Sequence, residues 1–189
     1  MSTDTQISTF KNAERDFLDA LGYDDSTPGR FIVWTKAGTH CFVPNDTESI
    51  AACATALTTD QEVYFSLGLQ QNKPHGAGRG EARTVVAIPG LWLDVDLAGG
   101  AHAADAAKLP TEEQAMDLLG AFPLAPTAIV NSGGGLHVYW FFKEPWALDD
   151  LTNHAGAQRL SRSFQRHFIG LARQRGFTLD NTSALNQVL

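Results

Sequence analysis

The chain alternates between helical and strand-like patterns of apolar residues, and the spacing predicts an order of elements. Phe10, Phe17, Leu18 and Leu21 recur at helical spacing within 7–23, and Gly22 marks the end of that helix. "RFIVWTK" and "HCFVP" flank Ala37-Gly38 and predict a hairpin. "DTESIAACATAL" predicts a short helix with Asp46 as N-cap. "EVYFSLGL" predicts one strand, and "QQNKPHGAGRGEAR", rich in amides, glycine and basic side chains, predicts a mobile loop. The pattern is then more regular. "TVVAIPGLWLDVDL" predicts a strand with an interruption at Pro89. "TEEQAMDLLGAF" predicts a helix opened by a Thr111/Gln114 capping box. "PTAIVNS" and "LHVYWFF" predict strands joined by Gly133-Gly134-Gly135. A long helix follows over 147–176, and "FTLDN" predicts the start of a last strand.

From Thr84 onward the expected order is β-α-β-β-α-β. That is the order of a split βαβ sheet of the ferredoxin or RRM kind, with helices on one face. The expected class is α+β. One domain over 1–189 would comprise a small N-terminal α/β lobe with its loop (1–83) and an RRM-like core (84–189).

Within "LWLDVDL", alternation sends Leu91, Leu93, Val95 and Leu97 to one face and Trp92, Asp94 and Asp96 to the other. The leucine side is expected under the helices and the aspartate side on the uncovered face. Carboxylates two residues apart on one strand lie roughly 6–7 Å apart at the backbone. Without a cation, their repulsion raises one pKa; a hard divalent ion relieves it. The plain alternative is an exposed strand face decorated with acids. In "NSGGGLHVYWFF", three glycines leave backbone N–H groups unscreened, which suits a phosphate. His137, Tyr139 and Phe141 share one face of the following strand. An ordinary glycine hairpin with a satisfied histidine is the plain alternative there.

Charge modifies the picture. The net charge of −7 argues mildly against a nucleic-acid partner. It is uneven, however: residues 1–62 hold ten acids and four Lys or Arg, whereas 151–179 hold five Arg and no acid. On the long helix Leu160, Phe164, Phe168 and Leu171 form an apolar stripe, with Arg159, Arg162, Arg166 and Arg173 on the opposite side. Cys41 and Cys53 lack zinc-ligand spacing and are expected to be reduced. No apolar run reaches membrane-spanning length, and no secretory leader is evident, so a cytoplasmic location is expected.

Asp94-x-Asp96, "SGGGLHVYW" and Leu179-Asp180 together resemble the three motifs of the archaeo-eukaryotic primase (AEP) superfamily. The likeness is strongest to the primase-polymerase (prim-pol) domain of phage and plasmid replication proteins, and it covers roughly residues 30–189. The resemblance implies template-directed nucleotidyl transfer, with two ions of Mg²⁺ or Mn²⁺ held by Asp94, Asp96 and Asp180. It implies that His137 contacts the triphosphate of an incoming NTP or dNTP, assisted by Ser132, Gly134 and Gly135. Arg79 or Arg83 is expected to close over the triphosphate. Arg159, Arg162 and Arg166 are expected to track a single-stranded DNA template carrying a primer. Tyr139 is a candidate sugar sensor. The apolar end of the chain suggests a piece of a longer replication protein, with a helicase domain beyond Leu189. The rivals are an RRM-like single-strand-binding module without chemistry, a D-x-D glycosyltransferase or phosphohydrolase, and a rolling-circle nicking enzyme. The last of these would want a second histidine beside "HVY".

Overall fold

The computed structural model describes residues 13–99 and 108–189. The part of the first expected helix before residue 13, with Phe10, lies outside them. The chain is mixed α+β with two sheets, and it divides into two units. The first unit takes in the described residues up to Pro89, then Phe142–His154 and Leu185–Leu189. The second comprises Gly90–Phe141 and Ala155–Ala184. The expected division at 83/84 is a single cut, whereas the chain passes between the units four times.

In the first unit, helix α1 covers 13–20 and buries Leu18, with Leu21 buried just beyond it. Strands β1 (Phe31–Thr35) and β2 (Gly38–Phe42) form the expected antiparallel hairpin, with Thr35 opposite Gly38. Helix α2 (Thr47–Leu57) starts at Asp46, whose carboxylate accepts from the Ser49 N–H at 3.2 Å. The single strand expected over 62–69 is instead two short ones in different sheets. Strand β3 (Tyr64–Phe65) pairs with β1, and β4 (Leu69–Gln70) pairs with the start of β5 (Val85–Asp96). Gly68 lies between them with its Cα against the Leu185 carbonyl, an approach any Cβ would block. The last residues complete this region: the Phe65 and Leu189 backbones exchange hydrogen bonds of 3.0 and 3.1 Å. Leu185, Val188 and Leu189 are buried there.

The glycine-rich loop is pinned, contrary to the expectation of mobility. Trp34 Nε1 donates to the Ala77 carbonyl (2.6 Å) and Thr39 Oγ1 to that of Gly78 (2.7 Å). Asn186 Nδ2 donates to the Gly80 carbonyl (2.9 Å). The Arg79 guanidinium lies 5.2 Å from the centroid of the Trp34 ring, a cation–π contact.

Strand β5 runs unbroken through Pro89. The ladder from β4 reaches only Ala87, so the missing proline N–H costs no bond to that strand. In the second unit, helix α3 (Glu112–Gly120) carries the expected capping box between Thr111 and Gln114. Strands β6 (Ala128–Asn131) and β7 (Gly135–Ala147) pair antiparallel, and helix α4 spans Leu151–Gln174. The second sheet has the order β4-β5-β7-β6. No strand forms over 177–184, so the last strand of the expected order is absent among the described residues.

The core of this unit joins Leu93 and Val95 of β5 to Leu136, Val138 and Trp140 of β7. Onto them pack Ala115, Leu118 and Leu119 of α3 and Phe164, Phe168 and Ala172 of α4. Burial of each large side chain contributes about 1.5–3 kcal/mol. The buried stripe of α4 is rotated from the expected one: Ser161 and Gln165 are on it, while Leu160 is 41% exposed.

Candidate active site

Alternation along β5 places Asp94 and Asp96 as read from the sequence. Leu93 and Val95 are fully buried against the helices, and the two aspartates that alternate with them point to the other face, partly exposed. The pairing of β5 with β7 brings the second motif to them. Leu97 N–H donates to the Gly134 carbonyl at 3.1 Å. Gly135 lies against the backbone of Val95 and Asp96, and Gly90 against that of Trp140 and Phe141. This antiparallel register sets His137 opposite Asp94, with Nε2 3.7 Å from Oδ1. Their side chains retain 17% and 27% of their exposure, so the site is a recess rather than the bare face expected. Trp92 and Tyr139, on the same alternating face, are almost wholly buried.

The recess has a distinct electrostatic character. Burial pushes the His137 imidazole below its ordinary pKa, and the Asp96 carboxylate partly opposes that. At 3.7 Å from Asp94 the contact exceeds hydrogen-bond length. Burial therefore outweighs the pairing, and the ring is neutral at neutral pH rather than one half of an ion pair. The Tyr139 phenol is pushed far up by burial, with the Asp94 carboxylate adding to the shift. It is a protonated, enclosed hydroxyl, not a surface platform.

The glycine turn is more committed to the fold than its composition suggests. Gly133 adopts φ +86° and donates its N–H to Asn131 Oδ1 at 2.8 Å. Ser132 directs both its N–H (3.0 Å) and its hydroxyl (3.2 Å) to the Gly135 carbonyl. Gly135 is glycine because a Cβ there would strike the Val95 carbonyl. So one of the glycine N–H groups expected to suit a phosphate, that of Gly133, already has an acceptor within the turn.

Asp180 sits on the segment that returns after α4, in the same unit. Side chains hold this segment beside β5. Trp92 Nε1 donates to the Thr182 carbonyl (2.8 Å). Gln165 Nε2 donates to the Trp92 carbonyl (2.6 Å) and to Thr182 Oγ1 (3.1 Å). Ser161 Oγ and Gln158 Nε2 donate to the Ser183 carbonyl at 3.0 and 3.2 Å. Sequence reasoning missed Trp92, Gln165 and Thr182. The available signal was a glutamine on the buried stripe of an amphipathic helix, which must find buried partners.

The arginines are dispersed. Arg79 and Arg83 belong to the first unit; Arg79 covers Trp34, and Arg83 pairs with Glu81 at 2.5 Å. Arg159, Arg162 and Arg166 are exposed on α4, whose opposite side packs on Leu93, Val95, Leu136 and Val138. They therefore lie on the helix side of the sheet, with the sheet between them and the two aspartates.

Asp94 and Asp96 fit a hard cation by donor type. Magnesium is usually held by one or two carboxylates, with water and substrate phosphates completing the shell. Among the described residues, no three His, Cys, Asp or Glu side chains gather at metal-holding distance. The pair thus suits an ion that arrives with phosphate ligands of its own. Among the described residues, no helix is long and apolar enough to cross a membrane.

No protein-family model matches the chain, and no curated protein does. Among solved structures it is similar to the AEP domain of the primase-polymerase of cyanophage S-2L. The two are 16% identical with a TM-score of 0.48, over 93% of this chain and 78% of that one. A likeness this distant leaves function to be judged from the side chains themselves.

Proposed function

We propose that the chain is a nucleotidyltransferase that extends or initiates nucleic-acid strands on a template, with Asp94, Asp96 and His137 at its reacting centre. The observation that carries this reading is the convergence of the two strand motifs: both carboxylates on one face of β5, and an imidazole opposite Asp94 at 3.7 Å. Bound Mg²⁺ or Mn²⁺ would lower the pKa of a primer 3′-hydroxyl and stabilise the departing pyrophosphate. Asp94 and Asp96 would hold those ions, and Asp180 would join them from the braced segment after α4. His137, largely enclosed, would donate a hydrogen bond to a phosphate oxygen of the incoming nucleotide. The work left to the protein is positioning and charge neutralisation.

The rival reading, a binding module that stacks bases on sheet aromatics, is disfavoured by Tyr139, which is fully buried and offers no ring face to a base. The test incubates the protein with a single-stranded template, Mn²⁺ and labelled nucleotides, with and without primer. Incorporation by the wild type and none by Asp94→Ala or Asp96→Ala is expected. Incorporation that survives both substitutions removes the reading.

A further inference from the structure

The arginines of α4 do not face the carboxylates, yet they form the most concentrated positive feature of an acidic chain. Arg159, Arg162, Arg166 and Arg173 fall within one narrow stripe at 100° per residue, and all four are exposed. Among the described residues none of them lies within ion-pair distance of a carboxylate; the four pairs found are elsewhere. Helix α4 carries no acid. Ala155, Ser163 and Gly170 share the stripe, so no large side chain stands between the arginines and an approaching surface. From Arg159 to Arg173 the stripe runs about 21 Å at 1.5 Å per residue.

We propose that this outer face of α4 docks the phosphate backbone of double-stranded nucleic acid, on the side of the sheet away from Asp94 and Asp96. The choice of nucleic acid rests on the nucleotidyltransferase reading. Guanidinium groups match phosphate oxygens in a bidentate fork. The choice of duplex rests on shape. A straight row of charges on a rigid helix fits a stiff, regular surface, and about 21 Å is long enough to cross a groove of roughly 12 Å and reach the phosphates on both of its edges. A flexible single strand must first be straightened to meet the same row. Duplex emerging from the site would be held by this second surface while the reacting end stays at the first.

The experiment is fluorescence anisotropy with a labelled duplex and a single strand of the same length, in EDTA and without nucleotide, from 50 to 200 mM salt. Four phosphate contacts contribute about 3–4 to the slope of log affinity against log salt, or about a hundredfold in affinity over that range. The variant Arg159→Gln/Arg162→Gln/Arg166→Gln/Arg173→Gln is expected to lose that much slope on duplex. Lysine at the same four positions is expected to keep it. Single Arg162→Gln and Arg166→Gln variants, each expected to lose about one unit of slope, serve if the quadruple variant does not fold. An unchanged duplex slope in the glutamine variants overturns the proposal. So does a larger loss on the single strand than on duplex, or arginine-dependent binding of polyglutamate or anionic vesicles that matches duplex. No metal or nucleotide enters the measurement, so the catalytic reading and this one can fail separately.

Discussion

Replacing Gln165 with leucine tests the brace that holds the Asp180 segment to β5. The glutamine is 1% exposed, and its amide N–H groups serve the Trp92 carbonyl at 2.6 Å and Thr182 Oγ1 at 3.1 Å. Leucine fills a similar volume but leaves both acceptors without that donor. A buried polar group left unsatisfied costs about 1–3 kcal/mol. Part of this is returned, because Gln165 Oε1 is itself buried without a hydrogen-bond partner among the described residues, and leucine removes it. The net expectation is a loss of about 2 kcal/mol. With a urea m-value of about 2 kcal/mol/M, the unfolding midpoint should fall by about 1 M. Hydrogen exchange should quicken at the amides of 180–184, since Trp92 Nε1 would then hold Thr182 alone. A midpoint lowered by less than about 0.2 M, with exchange unchanged, would refute the idea that Gln165 anchors the segment. A double-mutant cycle with Thr182→Val should show coupling, because the two side chains share a bond.

Other consequences follow from the packing. Gly135→Ala would drive a Cβ into the Val95 carbonyl, and the strands bearing His137 and Asp96 would have to part. It should destabilise the protein by about 1–3 kcal/mol in urea, and a neutral result would contradict the close strand contact. Phe168→Ala empties a fully buried site between Trp140, Phe122 and Phe164 and should cost about 3–5 kcal/mol by the same measurement. Trp34→Phe removes the hydrogen bond to Ala77 and should speed tryptic cleavage after Arg79, whereas a loop already free would be cut equally fast in both proteins.

What was legible in the sequence was local. The 35–38 hairpin, the Asp46 and Thr111 caps and the alternation along β5 depend on neighbours a few residues apart, and each formed as read. The placement of His137 opposite Asp94 needed only the β5–β7 pairing, which the order of elements suggested. What was missed depends on distant partners. "EVYFSLGL" reads as one strand, but Gly68 passes so close to the Leu185 carbonyl that the run breaks between two sheets. The glycine-rich loop looks mobile until Trp34 and Thr39, some forty residues earlier, supply its donors. "FTLDN" has strand composition, yet its Phe177 and Thr178 N–H groups donate to the Ala172 and Lys108 carbonyls, and side chains of Trp92, Ser161 and Gln165 hold the two residues that follow it, Thr182 and Ser183. The arginine stripe was read correctly as a stripe. Its side of the sheet was fixed only by which face of α4 carries Phe164 and Phe168.

The most direct measurement is a Mn²⁺ titration by electron paramagnetic resonance with a nonhydrolysable nucleoside triphosphate present. It compares the wild type with Asp94→Asn/Asp96→Asn, which keeps shape and removes charge. The account predicts that the wild type retains protein-bound Mn²⁺ together with the triphosphate and that the double variant weakens it at least tenfold. Equal binding by the two proteins would mean that these carboxylates do not hold the cation.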